Sequence, residues 1–484
     1  MINHLSIRGI ILALLLFVAG QGVARVISVH SAADVNKTWS AGDTLVWTNG
    51  EYTGKVLTLQ GNGTAAAPIV LRAQTPGQVQ LTTKSRLTFD GTYIEVQGFV
   101  FQGTNTSTDH VVSFTSASSH CRMTDCCIES FNPTDATKDF KWVSLKGQQN
   151  RVDHCHFENK TNAGTLLVVW LETGIVPQHT IDHNRFYRRV ANVDDKGKEL
   201  NGQEIIRIGD SNTSMQTAAC VVEYNLFEEC DGEIETISNK SCGNIYRHNT
   251  FLACAGTLTF RHGNNCTADG NYFLGNGKSS TGGIRIIGED HTVTNNHFQD
   301  LNGNNYRAAV SIIRGKENSA LNEYFQVKNA RVSENTFVNC HEALCVNYHS
   351  SSECTLLAQN IRIEDNIVYN DASNKSNRIV TIATSGGSVT WSGNSYSAGK
   401  FSSFSPSSSE WSKDTSIPQP QPATGIPSAE NTGVSWKRSS DPGMSTEQNI
   451  LISPSAQTIK TIRNGQIVII RDNDIYSIFG QRIY

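Results

Sequence analysis

The stretch Asn249–Phe273, "NTFLACAGTLTFRHGNNCTADGNYF", begins and ends on one pattern, Asn-x-aromatic, and that repetition decides the fold. The pattern recurs at Asn184-Arg185-Phe186, Asn225-Leu226-Phe227, Asn296-His297-Phe298 and Asn335-Thr336-Phe337, with Cys155-His156-Phe157 before and Asn366-Ile367-Val368 after. The middle steps are 24, 22 and 25 residues, and the outer ones lengthen to 29, 41, 39 and 31. A period in the low twenties with variable insertions is the mark of a solenoid, whose coils keep one core and tolerate long loops on one side. Between the repeats, runs such as "CVVEYNLF", "TLTFRHG" and "GGIRIIG" alternate like short strands, bounded by Gly, Asn and Asp turns. Stacking such coils sets Asn on Asn and Phe on Phe; the aromatic fills the core and the amide bonds both neighbours. The fold expected is all-β, a single-stranded right-handed parallel β-helix. Leucine-rich repeats, the rival at this period, need leucines at regular offsets, and these are absent.

Working outward, residues 25–440 are expected to form the β-helix domain, opening at "VISVHSAADVNKTW". From about Lys400 the chain turns Ser- and Pro-rich, and is expected to run extended along the outside of the solenoid or to cap its end. Residues 441–484 read as a tail with a small β unit. Residues 1–24 combine Arg8, an apolar run from Gly9 to Gly20 and small residues before a cleavage point, which reads as a signal peptide. That run is short for a span, so the expectation is export to a bacterial periplasm, outer surface or exterior without stable membrane insertion. With 40 basic and 44 acidic residues the net charge is −4, which supplies no basic field for nucleic acid. Twelve cysteines at irregular spacing with no CxxC pair argue against zinc and for small buried fillers.

The charges in "DGEIETISNKS", Asp231–Ser241, need a separate reason. Simple alternation turns Ile234 to the core and Glu233 and Glu235 outwards on one face, about 7 Å apart. Two like charges at that spacing repel unless solvent or a cation separates them, and carboxylate oxygens suit calcium. Their company favours the cation: Lys240, Arg261 and Arg285 follow at steps of 21 and 24, near the coil period, with His262 beside Arg261. These residues are expected to stack on one face. "NGQEIIRIGDS" adds Asn201, Glu204 and Arg207 about one coil earlier. A basic strip beside an acidic pair, on a slightly acidic chain, suits an anionic polysaccharide carrying carboxylates.

Those segments, with "TFRHGNN" and "GGIRIIG", carry a resemblance to the polysaccharide lyase family that contains chondroitinase B and a group of alginate lyases, from about residue 26 to residue 440. The resemblance implies a right-handed β-helix and β-elimination on a uronate polymer. It implies Lys240 as catalytic base and Arg261 as catalytic acid, with Asn201, Glu233 and Glu235 at calcium-ligand positions. Arg207, His262 and Arg285 match positions that hold substrate, and Glu204, from the strand of Arg207, is grouped with them. An ordinary lysine, with a pKa of about 10.4, is a poor base at neutral pH; nearby calcium and arginine would lower it. Arginine is always charged, so Arg261 is read as chiefly electrostatic. Alginate is the first substrate expected and dermatan or chondroitin sulfate the alternative. A glycoside hydrolase would place its two carboxylates on opposite sides of the bond, and a non-catalytic carbohydrate-binding β-helix would ask nothing of Lys240. Calcium itself has a rival, since lysine and arginines could neutralise a carboxylate unaided.

Overall fold

The computed structural model describes residues 24–193 and 200–437, with the strands at 458–463, 466–471 and 474–477. Residues 1–23, and with them the expected signal, lie outside the described residues. The chain winds through three parallel sheets of 14 strands each, visited in turn once per coil, giving the expected right-handed parallel β-helix. Sheet 1 begins with Val26–Val29 and Thr44–Trp47; sheet 2 begins with Gly50–Thr53 and Val79–Thr82; sheet 3 begins with Thr38–Ser40 and Val56–Asn62. Among the described residues the one α-helix is Ala32–Val35, capped by Ser31, and no helix is long and apolar enough to cross a membrane.

The repeat read from the sequence forms two ladders. Phe157, Phe186, Phe227, Phe251, Phe273, Phe298 and Phe337 stack inside the coils with ring centroids 4.5 to 5.1 Å apart. Beside them Asn249 donates from Nδ2 to Asn271 Oδ1 (3.0 Å) and to Val222 O (2.8 Å), while its Oδ1 accepts from the Asn225 main-chain and side-chain nitrogens. The same exchange links Asn271, Asn296, Asn335, Asn366 and Asn394. The residue before most ladder positions, His183, Tyr224, His248, Asn295, Glu334 and Asp365, has φ between 53° and 59°, and glycines at 63° and 64° take that place before Asn271 and Asn394. A left-handed residue turns the corner sharply, at a cost of about 1 kcal/mol for a non-glycine, and the amide ladder offsets it.

All twelve cysteines are free, and all but Cys242 are buried. Beyond the last coil the chain runs back along the outside: the Ser435 amide donates to Asp125 Oδ1 (2.8 Å), and Lys437 pairs with Glu129 and, at 3.6 Å, with Glu158. The segment expected to leave the solenoid from about Lys400 first supplies the last strands of two sheets, Lys400–Ser402 and Trp411–Lys413, and takes the external course only after them. By contact the chain separates into Met1–Arg438 and Ser439–Tyr484. The second unit contains a three-stranded antiparallel sheet, Thr458–Arg463, Gln466–Arg471 and Asp474–Ser477.

Candidate active site

The charged residues gather on the outer face of sheet 3, on strands Ile206–Ile208, Glu235–Lys240, Thr257–His262 and Ile284–Ile286. In register, Ile206, Ile237, Leu258 and Ile284 form a core row, and Arg207, Ser238, Thr259 and Arg285 the outward row next to it. Strand Glu235–Lys240 breaks that register twice. Thr236 is an extra residue between Glu235, which pairs with Thr257, and Ile237, which pairs with Leu258. Arg261 is an extra residue on the partner strand, because Asn239 pairs with Phe260 and Lys240 with His262. A bulge bends its strand and re-aims side chains.

These bulges correct two expectations. Ile234 is only half-buried, and Ile237 is the residue that enters the core. Lys240, Arg261 and Arg285 do not form one vertical column: Lys240 faces His262 across the ladder, Arg285 lies in the row of Arg207, and Arg261 projects from the bulge between. The slip still brings all of them to one face.

Three buried carboxylates lie at the centre, Glu204, Glu233 and Glu235, each offering an oxygen within 4.8 Å of the others. Glu204, grouped above with substrate-holding residues, thus stands with the acidic pair. Its Oε2 accepts from Thr165 Oγ1 at 2.7 Å. Glu233 Oε2 accepts from the Gly202 and Gln203 amides at 2.9 and 3.4 Å, with Asn201 exposed just before them. Glu235 accepts from Ser238 Oγ and pairs with Arg285, and Arg261 Nε stands 3.9 Å from its Oε1. Burial, then the charges of Glu204 and Glu235, push the Glu233 carboxyl up to about 8. Three hard carboxylate donors converging within 4.8 Å of one another fit a divalent cation of the calcium type.

Around this triad the basic groups are arranged unequally. Among the described residues the half-buried Lys240 ammonium makes no ion pair. His262 is held neutral: burial, then Arg261 and Lys240, push it down to about 3. Its Nδ1 accepts from Arg261 Nη1 at 3.3 Å, so the ring proton sits on Nε2. Each arginine lies against an aromatic ring: Arg207 over Trp170 (5.2 Å), Arg261 over Tyr324 (4.3 Å) and Arg285 over Tyr306 (5.6 Å). Among the described residues the Nε atoms of Arg207 and Arg285 are buried without an acceptor. Sequence reading missed Trp170, Tyr306 and Tyr324, which come from loops or strand ends without periodic spacing. The third carboxylate did have a signal, since Glu204 and Glu235 each precede a core isoleucine by two residues, Ile206 and Ile237.

Residues 26–409 match the family model described as Chondroitinase B. A mannuronic acid specific polysaccharide family 6 lyase from human gut microbiota is 29% identical over 77% of this chain and 86% of its own, with a TM-score of 0.65. The PL6 family alginate lyase AlyGC is 29% identical with a TM-score of 0.77; the match covers 86% of this chain but only 60% of that enzyme. The PL6 family polysaccharide lyase Pedsa3628 from Pseudopedobacter saltans is 25% identical over 85% of this chain and 99% of its own, with a TM-score of 0.69. No match was found among curated proteins.

Proposed function

The chain belongs to the Chondroitinase B family of polysaccharide lyases, and we propose that it cleaves a uronate-containing anionic polysaccharide, alginate first, by β-elimination. The observation that carries this reading is the juxtaposition of Lys240, which makes no ion pair among the described residues, and a bulge-borne arginine with a buried carboxylate triad. Glu204, Glu233 and Glu235, with the Asn201 amide as a further donor, would hold calcium, which when bound supplies the positive charge that offsets the sugar carboxylate and favours loss of its neighbouring proton.

The protein groups divide the remaining work. Arg207, Arg285 and the Nε2–H of neutral His262 hold the anionic sugar. Lys240 takes the C5 proton as an amine; the electrons of that C–H bond form the C4–C5 double bond, and the C4–O bond breaks. Arg261 faces the departing glycosidic oxygen and stabilises its charge until it is protonated, directly or from water. One chain end leaves as a hydroxyl and the other as an unsaturated uronate. Because a polymer of this kind is met outside the cell, the reading includes export, as the N-terminal sequence leads one to expect.

The names of two similar enzymes, one mannuronic acid specific and one an alginate lyase, favour alginate. The name of the family model keeps dermatan or chondroitin sulfate as the second substrate. Purified protein incubated with alginate, its block-pure fractions and dermatan sulfate, with and without chelator, decides between them. The expected product absorbs in the ultraviolet through its new double bond. New reducing ends without that absorbance would make the protein a hydrolase, and binding without cleavage would make it a lectin-like solenoid.

A further inference from the structure

Arg261 is held from outside the solenoid. Its Nη1 donates to Glu323 O (2.7 Å) and its Nη2 to Asn322 O (3.2 Å), while the Tyr324 ring covers the guanidinium face at 4.3 Å. With the Nη1 contact to His262 Nδ1, three of the five guanidinium donors are engaged by the protein. Nε–H and one Nη2–H remain, and Nε is the atom nearest Glu235.

The loop that does this follows strand Val310–Ile313 and is itself fastened. The Lys316 amide donates to Tyr324 O (2.8 Å), and the Lys316 ammonium pairs with Glu323 (2.5 Å) and Glu353 (2.9 Å). At its tip Leu321 O accepts from Ser214 Oγ (3.3 Å), in the loop that follows strand Ile206–Ile208. Four ladder steps separate those two strands, about 19 Å along the stack, so the loop reaches across the strands that carry Lys240 and Arg261.

A second ring and a third complete the arrangement. Tyr306 lies over Arg285 on a 3-10 turn whose Asn305 amide donates to buried Glu342 (2.6 Å). His349 sits edge-on to both tyrosines, with interplanar angles of 89° to Tyr306 and 84° to Tyr324. Its Nδ1 accepts from the Ser351 amide (2.9 Å), which fixes the ring's orientation. We propose that Tyr324, braced by His349 against Tyr306, is a positioning residue that aims the Arg261 fork at the leaving glycosidic oxygen. The proposal rests on the reading of Arg261 as the group facing that oxygen.

The test compares two substrates: the native polymer, and a short uronate substrate with an aryloxy group at C4, which departs with little assistance. Tyr324→Leu should lower kcat on the polymer about 100-fold, the scale of a misplacement near 1 Å, with KM changed by about twofold or less. On the aryloxy substrate the same variant should lose less than about tenfold, because that leaving group asks little of Arg261. Tyr324→Phe keeps the ring and should stay within about threefold of wild type on both. Equal losses by Tyr324→Leu on the two substrates, or full polymer activity, overturn the proposal. So does a Tyr324→Phe enzyme as damaged as the leucine variant. A wild-type protein that forms no unsaturated uronate from any polymer sinks the lyase reading before any variant is compared.

Discussion

The asparagine corner and the carboxylate site are built by the same stacking and end in opposite electrostatic states. At the corner each Asn249-type amide spends its donors and its acceptor on neighbouring coils, and no net charge accumulates. On sheet 3 the stack brings Glu204, Glu233 and Glu235 together, and leaves the Nε atoms of Arg207 and Arg285 without acceptors among the described residues. Repetition of a self-complementary neutral group yields stability. Repetition of a like-charged group yields a place where something else has to bind.

If that division of labour holds, the two regions should respond to mutation in opposite ways. The largest effect is expected for Lys240→Ala, which should reduce turnover by about 10²- to 10⁴-fold, the range for loss of a general base, while thermal unfolding moves little; an active variant would remove Lys240 from the chemistry. Asn249→Ala should do the reverse. It leaves ladder groups of both neighbouring coils unpaired and should cost about 3 kcal/mol in urea unfolding, with kcat per folded molecule close to wild type.

A smaller effect is expected of Glu233. Its pKa in the folded protein, about 8, lies above the ordinary 4.5. Its contribution to stability is therefore fully present below about pH 4.5 and is lost as pH rises through 8. Metal-free protein should melt at falling temperature between pH 5 and 8, and added calcium should restore the loss. Glu233→Gln should flatten that dependence and gain on the order of 2 kcal/mol at pH 8 in chelator. A pH-independent wild type would show that the triad is not strained. Smallest of all, Phe251→Leu should cost about 1 kcal/mol, since its neighbours Phe227 and Phe273 remain stacked beside it.

The ladders were legible because every coil restates them: Asn249 can be recognised from Asn225 and Asn271 without knowing any contact. Lys240, Arg261, Glu233 and Glu235 were legible as one neighbourhood for the same reason. What alternation could not supply was the slip at Thr236 and Arg261, because a periodic reading assumes an unbroken pleat. That slip put Ile237 rather than Ile234 into the core and dissolved the expected column of basic residues. The aromatic rings over the arginines were illegible on different grounds. Tyr324 is 63 positions from Arg261, and an irregular loop carries no period to reveal its partner.

The external segment that ends at Lys437 bears on how the chain folds. Ser435 meets Asp125 across 310 residues, so this contact forms only after the intervening coils have stacked. Solenoid coils can nucleate anywhere and propagate between neighbours, but a closure of that length belongs late on the pathway. Contacts made after the transition state act on the rate of escape from the native state. The segment should therefore behave as a latch: cutting its anchors at Asp125, Glu129 and Glu158 would quicken unwinding and leave the speed of winding almost untouched.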